Sequence, residues 1–189
     1  MKRISCEVVA VGTELLLGQI VDTNSSWIGE QLALNGIDSF FQTKVGDNPS
    51  RIKSVLRQAL DRSDVVIVCG GLGPTQDDLT RDMIAEVMGV ELRMDEVLVE
   101  KISAMFSGRN RRMPENNLRQ AMVPEGAEPL PVMPGTAPGL KVPVGDKTIY
   151  AVPGVPWEMK QMVESWIIPD IRSAAGLTSI IRSKTLRTW

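Results

Sequence analysis

The chain contains no histidine. That excludes Ser-His-Asp and Cys-His nucleophilic machinery and any His-ligated zinc site. Hydrolysis, if there is any, has to rest on carboxylates, a metal, lysine or backbone groups. Cysteine is scarce as well. Cys6 and Cys69 both fall inside apolar stretches, which suits buried thiols and not a disulfide or a metal pair. The formal net charge is only −2, so no excess of either sign recruits nucleic acid or an anionic membrane. No apolar run is long enough to span a bilayer, and no signal peptide follows Met1. A cytoplasmic location is the default expectation.

What is present is ordinary globular material. Of 189 residues, 43% are apolar and 23% charged, enough for one domain with a full core. The stretch that organises the rest is residues 64–80, DVVIVCGGLGPTQDDLT. Val65 to Cys69 has no polar alternation, as in a strand buried on both faces. Gly70, Gly71, Gly73 and Pro74 end it. A helical pattern follows, with Leu79, Met83 and Val87 at i, i+4 and i+8. Thr75, Asp77 and Asp78 are its candidate caps. A strand, a glycine turn and a helix N-terminus suit an anion. Two carboxylates in the same turn repel a phosphate unless a cation sits between them.

Upstream, Ile4 to Val11 reads as the first strand and runs into Gly12, Thr13 and Glu14. Thr23 or Asn24 can cap a helix that buries Trp27, Ile28 and Leu32 and stops at Asn35-Gly36. Asp22, Thr23 and Asn24 serve equally well as helix-start chemistry or as ligand contacts. Ile37 to Val45 reads as strand two, and Pro49 opens a helix with Ile52, Val55, Leu56, Ala59 and Leu60 on one face. The order β-α-β-α-β-α predicts a parallel sheet with helices on both faces. Ligands bind such sheets beyond the carboxyl ends of the strands. Gly12-Thr13-Glu14, Asp47 and Gly70 to Asp78 all sit there.

Downstream, residues 95–108 read as a helix with Leu98, Ile102, Met105 and Phe106 inward. Residues 108–113 form a basic loop, and 114–122 a short helix. Leu140 to Val144 and Thr148 to Val152 flank Gly145-Asp146, a hairpin signal. Pro153-Gly154-Val155-Pro156 is a rigid turn before a helix carrying Met159, Met162, Val163, Trp166 and Ile167, which Pro169 kinks or ends. Residues 180–189 alternate like a strand and are expected to fray or to pair at an edge.

Five ordered stretches then carry a resemblance: VGTELLLGQIVDTN (11–24), GGLGPTQDDLT (70–80), NLRQAMVPEGAEPLP (117–131), GTAPG (135–139) and PGVPWEMKQM (153–162). They resemble the competence/damage-inducible CinA family, in the N-terminal domain that shares the fold of molybdopterin-binding proteins of the MoaB/MogA type. The resemblance implies a three-layer α/β/α domain, a mostly parallel sheet and a small β-hairpin excursion, over residues 1–175. Residues 176–189 would then begin a following segment, cut short here. One departure stands at Val132-Met133-Pro134, where the family pattern suggests an Asn-Pro pair.

The activity the resemblance implies is a metal-dependent ADP-ribose pyrophosphatase that releases AMP and ribose 5-phosphate. A molybdopterin- or nucleotide-binding domain without turnover is the alternative. Longer family members carry a deamidase domain that these residues do not include. The resemblance puts Asp78 and Asp47 against the ligand. Asp78, Asp77 and Asp47 are the expected catalytic residues. Asp78, Asp77 and Glu14 are the expected metal ligands, for Co2+, Mg2+ or Mn2+, with K+ as a candidate second ion. Oxygen donors of this kind suit such metals. The expected ligand contacts are Gly12, Thr13, Glu14, Gly70, Gly71, Leu72, Gly73, Pro74, Thr75, Gly135, Thr136, Pro153, Gly154, Val155, Pro156, Glu158 and Lys160. Lys160 is the candidate counter-charge. The expected partner is a small nucleotide or pterin, with no nucleic acid or membrane, in a homo-oligomer, dimer or trimer.

Overall fold

Cys6–Val11 forms strand β1, and all six of its residues are buried. In the computed structural model, which describes residues 4–107, 113–131 and 133–176, Val65–Cys69 forms β3, equally buried. Their apolar side chains alternate between two helical layers. Val9, Val11, Val66 and Val68 pack with Ile52, Leu56, Ile84, Leu98 and Ile102. Cys6, Val8, Val65 and Ile67 pack with Ile28, Leu32, Met159, Met162 and Ile171. Each such side chain, fully buried, contributes about 1.5–3 kcal/mol. Helices therefore cover both faces, and the fold is the expected three-layer α/β/α arrangement.

The main sheet has the order β2-β1-β3-β8-β7-β6. Its further strands are β2 (Gln42–Val45), β6 (Glu128–Pro129), β7 (Leu140–Val144) and β8 (Lys147–Val152). β1 pairs in parallel with β2 and β3, and β3 with β8. β7 pairs antiparallel with β8 and with β6. The expected hairpin thus forms, turning at Gly145 with φ 61°. A second, two-stranded sheet joins β4 (Leu92–Met94) to β5 (Met122–Pro124).

One charged residue lies inside this apolar sheet. Glu7 in β1 is 0% exposed. Arg62 donates to it through Nε at 2.8 Å and Nη2 at 2.6 Å, and Thr43 Oγ1 donates at 2.8 Å. A buried carboxylate survives only with such partners.

The helices are α1 (Thr13–Leu16), α2 (Thr23–Leu34), α3 (Pro49–Arg62), α4 (Thr80–Met88), α5 (Glu96–Ser107), α6 (Pro156–Met162) and α7 (Ile168–Ala174), with a 3-10 helix at Glu115–Ala121. Four expectations need correction. Strand two begins at Gln42 and not at Ile37. It is an edge strand, and Phe40 before it is 70% exposed, so only four positions meet β1. Asp22, and not Thr23 or Asn24, caps α2, accepting from the Ser25 amide at 2.9 Å. None of Thr75, Asp77 and Asp78 caps α4, whose first turn follows Leu79 without a side-chain cap. Of the two outcomes expected at Pro169, a kink or an end, the helix does not end there. The ladder widens to a π turn over Val163–Ile167, and Pro169 then occupies the first turn of α7, where a missing amide costs little.

Residues 108–112, Val132 and 180–189 lie outside the described residues. Among the described residues no helix is long and apolar enough to cross a membrane.

Candidate functional site

The first amides beyond β1 and β3 tie the carboxyl end of β1 to that of β2 and the carboxyl end of β3 to that of β8. Gly12 N–H donates to Val45 C=O at 2.9 Å, and Gly70 N–H donates to Val152 C=O at 3.0 Å. The loops that leave these ends enclose a cavity of about 600 Å³. Gly12, Glu14, Asp47, Gly70 to Thr75, Asp77, Asp78, Thr136, Pro153 to Pro156 and Glu158 all line it.

Two of its carboxylates are fixed in the same way. Asp47 Oδ2 accepts from the Thr13 amide at 2.8 Å and from Thr13 Oγ1 at 2.8 Å. Asp78 Oδ2 accepts from the Thr75 amide at 2.8 Å and from Thr75 Oγ1 at 2.6 Å. Among the described residues the second oxygen of each takes no hydrogen bond. Glycines make room for acids beside them. A Cβ on Gly12 would stand 2.4 Å from Glu14 Oε1, and one on Gly135 would stand 2.2 Å from Glu158 Oε1.

Three expected contacts lie off the cavity wall. Thr13 acts through its clasp on Asp47. Gly135 shapes the place of Glu158. Lys160 turns away: its Nζ stands 5.3 Å from the Trp27 ring centroid, on the side of α2. Asp22, Thr23 and Asn24, expected as either helix-start chemistry or ligand contacts, do line the cavity, which also gains Ala10, Val11, Leu15, Ile20, Val21, Cys69, Gln120 and Ala137. Asn24 Nδ2 donates to Gly154 C=O at 2.8 Å and ties α2 to the proline turn. Gln120 is 2% exposed and accepts from Asn117 Nδ2 at 2.8 Å. The polar pair Asn117/Gln120 beside apolar Leu118 and Ala121 is the sequence signal for it.

Electrostatics give the cavity its character. Glu14, Asp22, Asp47, Asp77, Asp78 and Glu158 line it, and among the described residues no lysine or arginine does. Lys44 Nζ reaches Asp22 Oδ2 only at 3.6 Å. Burial holds the Glu158 carboxyl above its ordinary pKa. Burial also pushes the Cys69 thiol up to about 12, against a lowering hydrogen bond from Asn24. Both cysteines are free and buried, so neither is a nucleophile.

The donor set is hard carboxylate oxygen, suited to Mg2+ or Mn2+ and not to a soft metal. Among the described residues no group of three or more Cys, Asp or Glu side chains is close enough to hold a metal ion alone. A metal held by these acids would have to share its shell with a ligand. Magnesium is held that way, through one or two carboxylates plus substrate phosphates.

A family model described as "Probable molybdopterin binding domain" matches residues 7–173. The chain is 49% identical over 187 residues to a CinA-like protein of Frankia casuarinae, covering 96% of this chain and 43% of that one. It is 44% identical over 187 residues to a CinA-like protein of Nostoc, covering 98% and 44%. It spans only 40–45% of the length of the curated relatives it matches. The solved structure of the protein CinA, with unknown function, from Thermoplasma acidophilum superposes with a TM-score of 0.77 at 35% identity, over 86% of this chain and 95% of that one. The molybdopterin biosynthesis Mog protein of Mycobacterium ulcerans superposes at 0.61 and 20% identity, over 92% and 97%, and shares the fold.

Proposed function

This chain belongs to the molybdopterin binding domain family, in its CinA-like branch, and we propose that its strand-end cavity binds a nucleotide diphosphate together with a divalent metal and hydrolyses it, ADP-ribose being split to AMP and ribose 5-phosphate. The observation that carries this reading is the charge of the wall: six carboxylates and no lining cation among the described residues. Two like charges 4 Å apart repel by about 1 kcal/mol in water and about 4 kcal/mol near a protein surface. A diphosphate enters such a wall only with a cation of its own.

Asp47 and Asp78 are the residues to hold that cation. Each is immobilised through one oxygen, and among the described residues the other takes no hydrogen bond. Co2+, Mg2+ and Mn2+ are the candidate metals, with K+ as a second ion. When bound, the metal neutralises the diphosphate and polarises its phosphorus–oxygen bonds. Glu14 and Asp77 stand along the same wall as further oxygen donors. Glu158, raised by burial and with no ion-pair partner among the described residues, suits proton transfer from the attacking water. That water's oxygen bonds to one phosphorus. The bond from this phosphorus to the bridging oxygen breaks, and the bridging oxygen leaves on the other phosphate.

A second reading is binding without turnover, of a nucleotide or a pterin. The absence of a three-acid centre among the described residues favours it. So does the match to a probable molybdopterin binding domain over residues 7–173. Ile20, Val21 and Val155 line the cavity and are exposed, as are Leu16, Leu17 and Trp157 close by in the sequence, which favours a homo-oligomer, dimer or trimer. Incubation with ADP-ribose and a panel of divalent metals tests the first reading. AMP release supports it. Tight metal-dependent binding with no AMP leaves the second.

A further inference from the structure

We propose that Thr80 and Arg81 are positioning residues that aim three consecutive amides, those of Gly71, Leu72 and Gly73, at the diphosphate. The starting point is an anomaly of burial. Arg81 is 0% exposed, and burial holds its pKa down to about 10. It occupies the second position of α4, the end of a helix where a positive charge is disfavoured. Its Nη2 donates to Leu72 C=O at 3.0 Å, while Nε and Nη1 have no partner among the described residues. A guanidinium kept in so unfavourable a place needs a reason.

Three carbonyls supply it. Gly70 C=O accepts from Thr80 Oγ1 at 2.7 Å. Gly71 C=O accepts from the Thr80 amide at 3.1 Å. Leu72 C=O accepts from Arg81. In a planar trans peptide the C=O of one residue and the N–H of the next point in opposite directions, and no peptide bond among the described residues is cis. Capturing the carbonyls of residues 70, 71 and 72 from α4 therefore turns the N–H groups of 71, 72 and 73 the other way. No hydrogen bond among the described residues takes up these three amides. All four residues line the cavity. A row of unpaired amides pointing away from its anchors is an anion cradle.

The glycines are required by the same geometry. Gly71 has φ 69°, and a Cβ there would stand 2.3 Å from Thr80 Oγ1. Thr80 can reach Gly70 C=O only past a residue without a side chain. The cradle also reconciles an acidic cavity with an anionic ligand: the acids take the metal and the amides take phosphate oxygen.

The inference rests on the reading that the cavity takes a diphosphate, not on turnover. The test titrates Mg2+ and inorganic pyrophosphate into wild type, Thr80→Ser, Thr80→Val and Arg81→Met, beside thermal melts. Thr80→Ser keeps the hydroxyl and is expected to bind within about twofold of wild type. Thr80→Val and Arg81→Met are expected to bind roughly 10- to 100-fold more weakly, the scale of a lost hydrogen bond to a charged group. If folded Thr80→Val and Arg81→Met bind pyrophosphate as wild type does, the inference is overturned. Should Arg81→Met fail to fold, the Ser/Val pair decides alone. Wild type that binds pyrophosphate but hydrolyses no ADP-ribose removes the hydrolase reading and leaves this one standing. Wild type that binds no pyrophosphate removes both.

Discussion

Asp78 is held by Thr75, whose amide and hydroxyl both donate to Asp78 Oδ2, at 2.8 Å and 2.6 Å. The carboxylate closes its own loop and leaves α4 uncapped. Asparagine offers the same accepting oxygen without the charge. Asp78→Asn is therefore expected to change stability by less than about 1 kcal/mol and to lower turnover by roughly a hundredfold or more. AMP release beside a thermal melt checks both. A variant that melts normally and turns over at the wild-type rate would reduce Asp78 to a loop clasp.

Lys160 is expected to be silent in ligand binding. Its ammonium stands over the Trp27 ring, outside the cavity. Lys160→Met should leave diphosphate affinity within about twofold and lower stability by about 0.5–1 kcal/mol, the worth of an exposed cation–π contact. A tenfold loss of affinity in a titration would return Lys160 to the site.

Glu158 makes stability depend on pH. Burial raises its folded pKa above the unfolded value. An acid shifted upward favours the folded state while protonated, and that contribution is lost as pH rises through the folded pKa. In the absence of metal, Glu158→Gln should melt higher than wild type at pH 7–8, with the difference vanishing near pH 4. Melts across that range decide it, and a difference that does not change with pH would contradict the assignment.

Gly71→Ala is expected to be destabilising by roughly 1–3 kcal/mol, from its positive φ and the crowded Thr80 hydroxyl. Gly18, also at positive φ but with nothing within 4 Å of a built Cβ, should tolerate alanine better. Urea unfolding of the two variants compares them directly.

Much of this architecture is legible in the residues. Val65 to Cys69 and the β1 run announce buried strands because helices cover both faces of the sheet. Gly145-Asp146 announces its hairpin because a tight turn demands that chemistry. The rim is legible too, since each glycine-rich loop follows a strand. What is not legible depends on tertiary packing. Asp22, Thr23 and Asn24 are all good caps, and only the fold selects Asp22. Lys160 reads as a counter-charge until α6 is laid on α2. Arg81 looks like an ordinary charged helix residue, and nothing in RDMIAE marks it as fully buried. The start of β2 is equally hidden, because an edge strand beside exposed Phe40 has no burial pattern to mark it.

On the proposed function, the acidic wall accepts a diphosphate only with a metal and then breaks it. The most direct measurement is AMP formation from ADP-ribose by the purified protein, with Mg2+, Mn2+ or Co2+ and again with a chelator. AMP and ribose 5-phosphate are expected in equal amounts with metal, and neither with the chelator. Formation of AMP undiminished by the chelator, or no AMP with any metal, would contradict it.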